Sequence, residues 1–308
     1  MAAFAGVVSD ALPAAHSLPR LPLPASLSAL AAVGGHAGML GDGQWVYKPL
    51  QPGARGECEL RFYSLVTAAG DPAVPGAGAQ PSEREESSAP PAALLPLCAG
   101  IARAEPGEPG SGLLLVLEDL TRSFARPCVM DVKMGVQSWA EDASEAKILA
   151  ERAKCPSQAR MGLRVTGMRV WDATAGCYCE SGRGWGHRLD EETLPAAFRA
   201  FLSDGAGGVR AQIAHALSER VARIRAWFSQ QGRFRFYGSS LLLIYDGGET
   251  EGAPAICDVR MIDFAHVWPI PPHEWPNARD EGYLMGLKTL LRLLEAVAVE
   301  PVGKGYCA

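Results

Sequence analysis

No apolar run in this chain approaches the roughly 20 residues that a membrane-spanning helix needs, so insertion into a bilayer is not expected. Excess positive charge is missing too. Lys and Arg number 29 against 34 Asp and Glu, a formal net charge of −5. Bulk electrostatics therefore give nucleic acid no hold, and a polyanionic ligand would need a local basic patch. Cys-x-x-Cys is absent. The eight cysteines are scattered, and only Cys177 and Cys179 lie close together. That is not the four-ligand spacing of a zinc finger, and it fits free thiols in a reducing compartment. There is no internal repeat and no basic run of the kind that marks nuclear import. The N-terminus lacks a basic start and is broken by Pro13, Pro19, Pro22 and Pro24, so a signal peptide is not expected.

What remains is an ordinary globular composition. With 308 residues, 48% of them hydrophobic, the chain can build one large or two smaller cores. Residues 1–30 read as a flexible leader. Residues 68–91, rich in Ala, Pro, Gly, Ser and Glu, read as a mobile insertion. Turn-rich connections are expected at 104–112, 173–186, 203–208 and 247–254. Between them, periodicity predicts strands at 44–47, 113–117, 129–133, 161–171, 240–245 and 255–264. Helices are predicted at 57–67, 143–153, 194–202, 208–228 and 280–297. The fold class is α+β, with a small strand-rich N-lobe over 31–120 and a larger C-lobe over 121–308.

The segment from Pro127 to Gly135 carries the most chemistry. Residues two apart on a strand point to one face, so Asp131 and Lys133 project side by side. An acid beside a lysine can hold nucleotide hydroxyls or a metal next to a migrating phosphoryl group, a reaction that needs mainly positioning and charge neutralisation. On an isolated strand such a pair is usually a solvated surface. Here it has company: an apolar strand running into Glu118, Asp119 and Leu120, and a second apolar run closing on Asp263. Lys48, on an N-lobe strand, is a cation able to reach nucleotide phosphates. Asp263 suits Mg²⁺, which one or two carboxylates hold together with substrate phosphates. Lys147 and Lys154 are seven residues apart and share one face of the helix expected over 143–154, a pattern that on its own is usually a solvated face.

These residues resemble the inositol polyphosphate kinase family. Its signature P-x-x-x-D-x-K-x-G is present in full from Pro127 to Gly135. S-S-L-L follows at Ser239 to Leu242, and I-D-F at Ile262 to Phe264, in the family's order. The flanks around Lys48, Arg55 and Asp280 to Leu287 match as well, so the likeness runs from about residue 35 to about residue 296. Within the family it is most similar to the short plant-type multikinases.

The resemblance implies a two-lobed kinase-like fold that uses ATP and Mg²⁺ to phosphorylate inositol tris- and tetrakisphosphate. Asp131 and Lys133 would be catalytic. Lys48, Glu59, Glu118, Asp119, Leu120, Asp131 and Asp263 would hold ATP, with Glu59 pairing Lys48 and 118–120 forming the adenine hinge. Lys133, Lys147, Lys154 and His266 would meet the substrate, and Asp263 with Ser240 the metal. Partners would be soluble inositol polyphosphates rather than nucleic acid or membrane. The implied state is a monomer, and the implied location nucleus or cytoplasm. One departure stands out: Ala150 and Glu151 occupy positions where many animal multikinases carry substrate-touching glutamines, which bears on substrate range, lipids above all. A selective trisphosphate 3-kinase and a non-catalytic inositol-phosphate scaffold are the alternatives. The presence of Lys48, Asp131, Lys133 and Asp263 together weighs against the scaffold.

Overall fold

The computed structural model describes residues 18–30, 33, 38–70, 90–105, 110, 112–248, 255–275 and 277–299. The N-lobe sheet contains β1 (Ser28–Ala29), β2 (Leu40–Gly41), β3 (Trp45–Pro49), β4 (Cys98–Ala104) and β5 (Gly112–Glu118), in the order β1-β2-β3-β5-β4. All neighbours run antiparallel. Helix α1 (Ala54–Gly70) lies between β3 and β4 in the chain. Strand β5 reads as an unbroken apolar run because both of its faces are covered. Leu114 and Val116 pack with Leu40 and Tyr47 on one side, while Leu115 and Leu117 join the main core on the other.

Two expectations for this lobe are corrected. Residues 18–30, assigned to a flexible leader, belong to the lobe. Leu21 N donates to Ile101 O and Ile101 N to Pro19 O, both at 2.8 Å, and β1 pairs with β2. The prolines forbid a helix but permit an extended strap, and Leu18, Leu21, Leu23 and Leu27 give it apolar anchors. The strap also covers part of edge strand β4. That strand itself was not foreseen, because its composition, Cys-Ala-Gly-Ile-Ala-Arg-Ala, is poor in residues that favour strands. In the insertion expected at 68–91, residues 68–70 complete α1; 71–89 lie outside the described residues.

The C-lobe sheet, again antiparallel, has β6 (Pro127–Met134) at its centre, β10 (Ser240–Asp246) and β11 (Cys257–Ile262) to one side and β7 (Leu163–Asp172) and β8 (Cys177–Ser181) to the other, in the order β11-β10-β6-β7-β8. Its first strand in sequence is β6 (Pro127–Met134). Helix α2 (Glu145–Lys154) follows, capped by Ser144, whose Oγ accepts from Lys147 N at 3.3 Å. The strand expected at 161–171 starts later: Met161 ends a short helix α3 (Gln158–Met161), and Gly162 closes it at φ +71° before β7 (Leu163–Asp172) begins. Next come β8 (Cys177–Ser181), α4 (Arg183–Gly186), α5 (Leu194–Phe201) and α6 (Ala211–Gln230), then β9 (Phe234–Phe236) and β10 (Ser240–Asp246). The chain continues through β11 (Cys257–Ile262) and β12 (Val267–Pro269) to α7 (Glu281–Val299). No helix among the described residues is long and apolar enough to cross a membrane. No disulfide joins any of the seven described cysteines.

Strand β6 shows how the sequence builds a site. Cys128, Met130, Val132 and Met134 alternate into the main core. Their burial fixes the register, because a one-residue slip would turn the charges into the apolar core instead. Asp131 and Lys133 are thereby held on the opposite face. The lobes share one core: Phe62 of α1 lies 4.3 Å from Phe264 and 5.7 Å from Phe236 between ring centroids. Phe228 of α6 stacks on Tyr283 of α7 at 4.0 Å beneath them.

Candidate active site

Two cavities lie between and beside the lobes, and both are lined by Asp131 and Asp263. The first is mainly apolar. Val46, Leu117, Leu242 and Ile262 form its walls, with Lys48 and the Glu118–Leu120 segment along its length. The second is strongly polar. It gathers Arg55, Lys133, Lys147, Lys154, Arg164 and Arg183 around Asp131, Glu151 and Asp263, with His187 and His266 among its walls.

At the junction, Lys48 is buried between two carboxylates. Its Nζ lies 2.7 Å from Glu59 Oε1 and 2.6 Å from Asp263 Oδ1. Burial alone would lower its pKa, but the two acids outweigh that and hold it above the ordinary lysine range. Glu59, Phe62 and Tyr63 share one face of α1, so the helix that supplies Glu59 also packs its aromatic rings on Phe264. Glu59 Oε1 further accepts from Phe264 N at 3.2 Å. The Phe of I-D-F is thus the anchor that positions the Asp. Asp263 has a positive φ of 66°, the only such non-glycine value among the described residues. Strain of this kind persists where surrounding packing over-determines it.

Asp131 is 2% exposed, and its Oδ1 has no hydrogen-bond partner among the described residues. Burial, reinforced by the nearby Asp263 charge and opposed by Lys133, pushes its carboxyl up to about 6. Lys133 is lowered by burial, against the pull of Asp263 and Asp131. Its Nζ donates to Gly238 O. Gly238, at φ +69°, is a turn glycine whose own Cβ would stand 3.6 Å from that nitrogen. Lys133 pairs across the sheet with Ser240 and with Arg164. A bulge between Asp131 and Val132 leaves Thr166 as the extra residue of β7, and its Oγ1 donates to Asp131 O at 3.2 Å. Bulges of this kind re-aim side chains next to sites, and here Arg164 and Thr166 both line the polar cavity.

The structure therefore brings most of the expected residues together. Lys48, Asp131, Lys133, Lys147, Lys154, Asp263 and His266 line the two cavities, and Glu59 stands directly behind Lys48. Burial and the neighbouring Arg55, Lys133 and Lys147 lower the His266 pKa, which favours a neutral ring. Along the expected hinge, the Glu118 and Asp119 amides are spent on Leu97 O and Gln44 O. Their side chains are structural as well. Glu118 accepts from Leu97 N, and Asp119 caps Thr121 at 2.7 and 2.8 Å. Ser240 is placed differently from the rest: it is 1% exposed, its Oγ has no partner among the described residues, and it lines neither cavity.

Arg164 lines the polar cavity and Arg169 the apolar one, where it sits 4.5 Å over Tyr178. Arg160 pairs with exposed Glu191 outside both. Sequence reading gave no role to Arg55, Arg183 and His187: Arg55 lies in the first turn of α1, Arg183 opens the one-turn helix α4 and His187 follows it. It also missed the role of Glu151, which helix spacing from Lys147 and Lys154 could have disclosed.

Among the described residues no group of three or more His, Cys, Asp or Glu side chains could hold a metal alone. The orphaned Asp131 Oδ1 beside Asp263 instead offers two carboxylates, the protein share of the donors that an ion held jointly with ligand phosphates would need.

The fold and the paired cavities define a two-lobed, kinase-like protein with an apolar cleft opening on a basic pocket. Comparison with known proteins narrows the class. A family model for inositol polyphosphate kinase matches residues 114–295. Rice (Oryza sativa subsp. indica) inositol polyphosphate multikinase IPK2 is 32% identical over 287 residues, covering 87% of this chain and 90% of the relative. Mouse inositol hexakisphosphate kinase 3 is 33% identical over 202 residues, covering 59% of this chain; the chain spans about half of that relative's length, 50%. The structure of the Saccharomyces cerevisiae multikinase Ipk2, in complex with ADP and Mn²⁺, superposes with a TM-score of 0.61. It is 20% identical and covers 82% of this chain and 98% of its own. The chain belongs to the inositol polyphosphate kinase family.

Proposed function

We propose that this chain is a multikinase: an ATP- and divalent-metal-dependent enzyme that phosphorylates hydroxyls of inositol tris- and tetrakisphosphate. The observation that carries this reading is the meeting of an apolar cleft and a cationic cavity at Asp131 and Asp263. Nucleotide in the first and polyphosphate in the second would bring a terminal phosphate and a ring hydroxyl to one point. The rice relative is named a multikinase, and the yeast structure was solved with ADP and Mn²⁺, which supports the same ligands here.

In this reading Lys48, held rigid by Glu59 and Asp263, meets the nucleotide phosphates. The apolar walls take the base, and the backbone around Glu118 to Leu120 borders it. Asp131 presents its unpartnered Oδ1, and Lys133 its charge, where the transferring group passes. A bound Mg²⁺ or Mn²⁺ would neutralise phosphate charge, with Asp131 and Asp263 as its protein ligands; Ser240 would support them from below. Lys147, Lys154, Arg164 and His266 would fix the ring phosphates. A loose transition state asks for positioning and charge rather than a strong base. We further assign the chain as a monomer acting on soluble inositol polyphosphates, in nucleus or cytoplasm.

The test is turnover of inositol 1,4,5-trisphosphate with ATP and Mg²⁺, resolved by inositol-phosphate chromatography. Successive tetrakis- and pentakisphosphate are expected. A stop at tetrakisphosphate would leave a selective 3-kinase, and ATP binding without product would leave a scaffold. Lys133→Ala should remove most turnover.

A further inference from the structure

Glu151 is the third carboxylate, with Asp131 and Asp263, lining a cavity rich in cations. It is 7% exposed, yet three cations converge on it. Lys147 Nζ and Lys154 Nζ lie 2.9 and 2.6 Å from its Oε1, and Arg164 Nη2 lies 3.5 Å from its Oε2. The lysine side chains are 51% and 41% exposed, whereas Arg164, on β7 opposite Lys133 of β6, is 5% exposed. Hydrogen bonds from Lys154 and Lys147 overcome burial and hold the Glu151 carboxyl down at about 2, so it is ionised wherever the protein is folded and active. Each of these cations is therefore already engaged by a charge of the sign the ligand would bring.

The arithmetic of the cavity matters. Six cations face three carboxylates, a formal surplus of three. Without Glu151 the surplus would be four. A buried acid that only lowers the attraction for a polyanion has a cost, and two consequences offset it. The cation-rich wall stays assembled when no ligand is present, and the cavity discriminates by ligand charge, because the gain from each added phosphate is reduced.

Resting on the reading of this pocket as an inositol-phosphate site, we propose that Glu151 is its specificity-determining residue. It stands in for one ligand phosphate, keeps Lys147, Lys154 and Arg164 in place, and biases the cavity toward the less phosphorylated inositol phosphates.

Calorimetric titration of the full chain, without nucleotide, separates the outcomes. Inositol 1,4,5-trisphosphate and inositol hexakisphosphate serve as rulers of different charge. Glu151→Gln should tighten hexakisphosphate about tenfold more than trisphosphate, the scale of one unit charge acting across a half-screened cavity. Glu151→Asp, which keeps the charge, should leave the ratio of the two affinities as in the parent. Equal changes for both ligands in Glu151→Gln, in either direction, would show a merely structural residue and overturn the proposal. Failure of the parent chain to bind either ligand would instead sink the reading of the pocket itself, with the proposal resting on it.

Discussion

Asp131 illustrates at the scale of one residue how function and stability oppose each other. Its carboxyl is raised by burial to about 6, above the roughly 3.9 of an unfolded chain. The folded state therefore binds this proton more tightly than the unfolded state. The associated stability is fully present below about pH 4 and is lost as pH rises through about 6. At neutral pH the ionised group costs about 3 kcal/mol, since one pKa unit is about 1.4 kcal/mol. Asp131→Asn should thus raise the thermal midpoint at pH 7.5 while lowering turnover by about a hundredfold or more; an unchanged or lower midpoint would contradict the burial argument. Lys48 presents the opposite case. Removing it by Lys48→Met leaves Glu59, with 0% of its side chain exposed, facing Asp263 without their shared cation. Breaking such a buried pair costs about 3 kcal/mol. Denaturant unfolding should show that loss, and Glu59→Gln in the same chain should restore part of it.

At the scale of elements, the seat of α7 on the C-lobe sheet depends on two glycines in backbone contact. A Cβ on Gly286 would stand 2.1 Å from Gly162 O, and one on Gly162 2.4 Å from Gly286 N. Gly162 O is itself taken by Gly135 N at 2.7 Å, so the contact reaches the last residue of the signature motif. Gly286→Ala gains helix propensity but must push apart two elements with no flexible atom to yield. It should destabilise by about 3 kcal/mol. Gly176, in the β7–β8 turn at φ +65° with nothing near its Cβ, is the control; alanine there should cost only the left-handed strain of about 1 kcal/mol, both read by denaturant titration. Neither glycine contact was legible in sequence, because periodicity reports which face is buried and not how closely two backbones approach. The alternation of β6 was legible, as were the helices bearing Glu59 and Lys147. Strand β4 and the strap at 18–30 were not, since each is stabilised by what it lies against rather than by its own composition.

Across the whole molecule, the three motifs that carried the sequence argument converge because β6, β10 and β11 are neighbours in one sheet, with Ser240 opposite both Lys133 and Ile262. The cationic pocket was only half visible. Its lysines lie on a periodic helix, but Arg55, Arg164 and Arg183 come from three separate parts of the fold. The convergence also couples the two cavities, which share the Asp131 and Asp263 carboxylates at their junction. A nucleotide triphosphate in one cavity and a polyphosphate in the other would repel across that junction unless a divalent cation lies between them. Linkage makes the effect reciprocal. With a non-hydrolysable ATP analogue and EDTA, the Kd for inositol 1,4,5-trisphosphate should rise by about fivefold, within the usual range of such couplings. Mg²⁺ should reverse that rise, and the nucleotide's own affinity should respond to trisphosphate by the same factor. Asp263→Asn removes one of the two carboxylates that would bind the cation, so the Mg²⁺-dependent recovery should shrink. A Kd for trisphosphate indifferent to nucleotide and metal alike would mean that the two ligands do not meet at this junction, and would remove the physical basis for transfer between them.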